Sequence, residues 1–107
     1  MKEVSEDIKR IASAIRKRLP DAKILLFGSR ARGDYLRSSD IDLIIVSSRF
    51  RGMHFTDRAS LILKILWESD TLPRTGIDLL CYTPEEFEKK SKEVSIVREA
   101  FKHGIEL

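Results

Sequence analysis

The chain has 107 residues, 42% of them hydrophobic and 35% charged, with 20 Lys and Arg against 17 Asp and Glu. That length suits one domain, expected over residues 1–107, with a core of its own, and the balance excludes a disordered segment. No apolar run approaches the ~18 residues of a membrane span, and Met1-Lys2-Glu3 opens no signal peptide. A lone Cys81 excludes an internal disulfide and suits a reducing cytoplasm.

Val4, Ile8, Ile11, Ile15 and Leu19 recur at helical spacing and predict an amphipathic helix over 3–19, stopped by Pro20. Lys23 to Phe27 is a short apolar run ending at Gly28, which predicts a buried strand. Residues 29–39 hold no apolar period and read as a helical turn plus loop. Ile41 to Val46 predicts a second strand, entered through Asp40 and Asp42. Phe55, Ala59, Ile62, Leu63 and Leu66 predict a helix near 55–69, with Thr56 as its cap. A turn through Pro73 and Gly76 leads to a third strand, Ile77 to Tyr82. Thr83-Pro84-Glu85-Glu86 is a helix start, with threonine at the N-cap, proline at N1 and a glutamate at N3 that can bond back. Val94, Val97, Ala100 and Phe101 predict a last helix, closed at Gly104. The order predicts one α/β domain. Cys81 is expected to pack inside its strand, Trp67 in a core or interface, and His54 and His103 in solvent.

Charge is uneven along the chain. Residues 1–37 carry ten basic and five acidic side chains, and residues 75–107 carry five basic and seven acidic ones. A basic N-terminal half suits an anionic partner such as nucleotide phosphate, RNA or an acidic protein face, although Lys9, Arg10, Arg16, Lys17 and Arg18 also read as a solvated helix face. Asn and Gln are absent, which fits selection for heat resistance.

The chemistry concentrates in Gly28-Ser29 and Asp40-Ile41-Asp42. Positions i and i+2 of a strand share a face, so Asp40 and Asp42 stand side by side. Two close carboxylates are unfavourable unless a cation neutralises them, and Mg²⁺ takes hard oxygen ligands while leaving positions for water and phosphate. Asp78 enters another apolar strand in the same way. If the strands are neighbours, three aspartates converge, which suits two metal ions clamping a phosphoryl displacement. Gly28 lets the backbone turn sharply, and Ser29 offers a hydroxyl and backbone N–H groups to phosphate. Arg30 and Arg32 add positive charge, although Arg32 can equally brace the loop. Neither a P-loop nor a dinucleotide fingerprint is present.

The run Gly28-Ser29-Arg30-Ala31-Arg32-Gly33, followed by Ser39-Asp40-Ile41-Asp42-Leu43, resembles the nucleotidyltransferases related to DNA polymerase beta, and most closely the minimal nucleotidyltransferases. The resemblance implies an α+β fold, a mixed sheet of three to four strands with helices mainly on one face and the active site at an exposed sheet edge. It implies that Asp40, Asp42 and Asp78 bind two Mg²⁺ ions and that Gly28 and Ser29 hold the triphosphate. Asp78 would also help deprotonate the acceptor hydroxyl. The implied reaction transfers a nucleoside monophosphate, AMP from ATP, to a hydroxyl. Because the sequence ends soon after this core, the acceptor is expected to be a partner. The resemblance implies a helical HEPN-type RNase toxin, with this chain as its antitoxin in a homo- or hetero-oligomer. Two other readings are an antitoxin that masks its partner stoichiometrically and a small RNA-binding protein. RNA is not expected as a direct ligand.

Overall fold

The computed structural model describes residues 4–28, 40–93 and 103–107. Ser29, Arg30, Arg32 and the helix expected over 94–101 lie outside them. Helix α1, Glu6–Arg18, starts at Ser5, whose hydroxyl accepts from the Ile8 N–H at 3.3 Å. That cap, rather than the apolar period, sets where the helix begins. Strand β1, Lys23–Phe27, pairs antiparallel with β2, Ile41–Val46. A short 3-10 turn, Ser48–Phe50, and helix α2, Phe55–Glu68, then carry the chain across to β3, Ile77–Tyr82. Strand β3 runs parallel to β2, the pairing that a helical crossover permits. Helix α3, Pro84–Ser91, follows, and β4, Ile105–Glu106, pairs antiparallel with β1. Among the described residues the sheet has four strands in the order β3-β2-β1-β4. No described helix is long and apolar enough to cross a membrane.

Strand alternation divides the sheet into two faces. Ile24, Leu26, Leu43, Ile45 and Cys81 join Ile8, Ile11 and Ile15 of α1 and Ile62 and Leu66 of α2 in the main core. The opposite face holds Leu25, Ile44, Val46 and Tyr82 under Phe87 of α3. Central β2 is therefore covered on both faces, which is why it reads as a continuous apolar run rather than an alternating one.

Three polar devices close the ends of elements. Asp21 accepts from the Ser47 hydroxyl at 2.7 Å, the Ser48 N–H at 2.9 Å and the Ser48 hydroxyl at 2.7 Å. These bonds, that from Ser47 foremost, hold its carboxyl down at about 2. A depressed carboxyl contributes stability above its unfolded value of 3.8 and loses it as pH falls towards 2. Thr83 and Glu86 form the expected capping box on α3. Arg58, 6% exposed, donates to the Met53 carbonyl at 3.1 Å, the Cys81 carbonyl at 3.2 Å and Glu86 at 2.6 Å.

Three local expectations meet the structure differently. His54, not Thr56, occupies the N-cap of α2, without a side-chain cap bond; its Nδ1 lies 3.1 Å from the Thr56 hydroxyl. Trp67 is 73% exposed, which excludes the core and leaves the interface of the two places expected for it, because the buried stripe of α2 runs through Ile62, Ile65 and Leu66. Gly104, expected to close a helix, directly follows helical His103 and precedes β4.

Candidate active site

Chain direction gathers the site. Antiparallel β1 ends where β2 begins, and parallel β3 begins at that same end of the sheet. Phe27, Asp42 and Asp78 are register partners across β1, β2 and β3, so they form one row on the face away from α1 and α2. The Asp42 and Asp78 carboxyls lie within hydrogen-bonding reach of each other. Asp40 stands one step before β2, where the following Ile41 N–H donates to the Gly76 carbonyl at 3.0 Å. Asp40 and Asp78 are exposed and Asp42 is half-buried.

Two glycines leave room for these carboxylates. A Cβ at Gly28 would clash with Asp42 Oδ2, and one at Gly76 would meet Asp40 Oδ1 at 2.6 Å. Gly28 also has φ +75°, a left-handed conformation that closes the turn out of β1. Gly52 has nearly the same φ, +76°, with open space around it. Gly52→Ala is therefore expected to cost about 1 kcal/mol from backbone strain alone. Gly28→Ala should cost about 1–2 kcal/mol, because the Asp42 carboxylate must also swing aside. Urea denaturation of the two variants separates these contributions.

Electrostatics show how unwelcome the carboxylates are to one another. The Asp42 carboxyl is pushed up to about 6, first by burial and then by its hydrogen bond with Asp78 and the charges of Asp78 and Asp40. An oxygen set of this kind suits a hard divalent cation, whose charge relieves the same repulsion. Among the described residues no three His, Cys, Asp or Glu side chains group closely enough to form a metal cage. The facing pair Asp42 and Asp78 supplies ligands from one side only, the way Mg²⁺ sites retain water and substrate phosphates.

The sequence-predicted residues Asp42 and Asp78 are thus adjacent, Asp40 is close beside them, and Gly28 packs against Asp42. Ser29, Arg30 and Arg32 fall outside the described residues. Sequence reasoning missed Gly76, whose signal was its place two residues before Asp78. It also missed half-buried Phe27 and Leu80, apolar neighbours of the carboxylates on the same face. Strand alternation around Asp42 and Asp78 was enough to find Leu80.

Comparison with known proteins bears on this geometry. The family described as a nucleotidyltransferase domain matches residues 8–106. A Methanocaldococcus jannaschii protein provisionally named a protein adenylyltransferase is 49% identical over 45 residues, 42% of this chain and 43% of that protein. The match thus spans less than half of that relative. A crystal structure from Sulfolobus solfataricus, provisionally described as a nucleotidyltransferase, superposes with a TM-score of 0.63 at 24% identity, covering 94% of this chain and 76% of that one. Arabidopsis thaliana BolA1 superposes with a TM-score of 0.60 at 19% identity, covering 78% of this chain and 98% of its own. At those identities the superpositions show the fold alone; the family match carries more.

Proposed function

The chain belongs to the nucleotidyltransferase domain family, and on that premise we propose that it transfers AMP from ATP to a hydroxyl of a partner protein. The observation that carries this reading is the row of Asp42 and Asp78 at the sheet end where β1 turns through Gly28. The family generally uses an NTP and a divalent metal. In this reading Asp40, Asp42 and Asp78 hold Mg²⁺, which when bound neutralises the triphosphate and polarises the phosphorus under attack. Gly28 and Ser29 bind the phosphate tail, with Arg30 and Arg32 adding charge. Asp78, the exposed member of the facing pair, takes the proton as the acceptor oxygen bonds to the α-phosphorus and pyrophosphate departs. The protein hydroxyl as acceptor is supported by the name of the archaeal relative. The resemblance of the Gly28-Ser29 and Asp40-Ile41-Asp42 motifs to minimal nucleotidyltransferases supports a HEPN-type toxin as the partner, in the cytoplasm.

Incubation with labelled ATP, Mg²⁺ and a HEPN-type protein encoded beside it is expected to label that protein. No label on the partner, with folded protein present, rejects the reading. A second reading, stoichiometric masking, is favoured by Leu63 and Trp67, one turn apart and exposed on α2. It predicts that neutralisation survives Asp42→Asn.

A further inference from the structure

The two edges of the sheet are unlike. At one edge β4 is two residues long and its Glu106 pairs with Lys23 at 3.6 Å, the short, charged ending that discourages further strands. At the other edge β3 is six residues long, and its sequence, Ile-Asp-Leu-Leu-Cys-Tyr, holds no lysine, proline or glycine. Among the described residues no strand pairs with its outer side.

The ladder shows which groups face outward. Ile41 N–H donates to the Gly76 carbonyl and Ser47 N–H to the Tyr82 carbonyl, each at 3.0 Å. In a parallel ladder the even-numbered residues of β3 therefore bond to β2, and Ile77, Leu79 and Cys81 point their backbone groups away from it. The Cys81 carbonyl already accepts from Arg58 at 3.2 Å. Among the described residues the edge is thus closed at its far end and open at Ile77 and Leu79. Asp78 sits between those two residues, exposed.

We propose that the outer edge of β3 at Ile77 and Leu79 pairs with an extended segment of the acceptor protein, which adds a strand and presents its hydroxyl beside Asp78. This rests on the transfer reading above and names how the acceptor is held. A side chain on the added strand, directly opposite Asp78, extends the row Phe27, Asp42, Asp78 by one position, with its Cβ ~5 Å from that of Asp78. Main-chain bonds supply the affinity, and alternate side chains supply the choice of partner. Charge selects the occupant. A second copy that pairs Ile77 with Leu79 of its mate sets Asp78 against Asp78, adding like charge to a site where carboxylates already repel. A neutral hydroxyl flanked by basic residues complements it.

The test is a titration of the wild-type chain, without nucleotide or metal, with the blocked peptide Lys-Val-Thr-Tyr-Thr-Val-Lys, read by amide NMR shifts. Shifts centred on the Ile77 and Leu79 amides are expected. Peptides N-methylated at successive positions should lose binding in alternation, by about five- to tenfold where a paired N–H is removed. Glutamates in place of the lysines should weaken binding several-fold. Shifts elsewhere, an even response to N-methylation, or β3 shifts that follow protein concentration without peptide overturn the proposal. Because binding is read without turnover, a failed labelling assay with intact β3 shifts removes the transfer reading alone. Labelling of a partner without any β3 response removes this inference alone.

Discussion

Replacing Asp42 by asparagine is expected to cut nucleotidyl transfer by at least about a thousandfold, because the proposed reading makes the carboxylate at the centre of the row a metal ligand. The same variant should be more stable at pH 8. In the fold the Asp42 carboxyl is raised to about 6 from 3.8, so the native state holds its proton more tightly than the unfolded chain does. The stabilisation that follows is fully present below 3.8 and is lost as pH rises through 6. Solvent screening of a half-buried group leaves about 1 kcal/mol of the loss to be seen. Urea melts of the metal-free proteins should therefore coincide near pH 4, part as pH rises to 6 and stay apart above it, with asparagine the more stable. Added Mg²⁺ should close the gap by binding only the wild type. Undiminished transfer by the variant would reject the site, and identical melts at every pH would reject the electrostatic account.

The largest stability loss is expected at Arg58. Its guanidinium bonds the Met53 and Cys81 carbonyls and Glu86 and lies over the Phe50 and Phe55 rings at 5.9 and 5.4 Å. Arg58→Ala leaves two carbonyls short of a partner and Glu86 without its cation. The Thr83 N–H still holds Glu86 at 2.7 Å, so the capping box survives in part. The expected cost is about 3 kcal/mol in urea denaturation. Lysine should recover little, since one ammonium cannot span the three directions of the planar fork. A loss below about 0.5 kcal/mol, typical of an exposed ion pair, would contradict the burial of the group.

Arg58 also shows where sequence reading stops. A single arginine in an amphipathic helix reads as solvated, and only the position of α2 over the end of β3 turns it inward. Strands β1, β2 and β3 were legible because each is an apolar run bounded by glycine, proline or aspartate. Helix α3 was legible because its cap is local chemistry. Strand β4 was not, since its two residues have no period and pair only because β1 offers an edge. The aspartates were legible as a spacing; their adjacency needed β2 and β3 to be parallel, which the helix between them makes natural. The approaches of Gly28 to Asp42 and of Gly76 to Asp40 required coordinates.

Cys81 gives the fold a chemical clock. The thiol is buried in β3, and burial pushes it up to about 12. At neutral pH only about one thiol in 10⁵ is ionised in the closed state, so an alkylating reagent waits for β3 to open. Labelling rate then measures how often the strand that carries Asp78 detaches. A ligand gripping the carboxylate end of that strand should slow the clock at its other end.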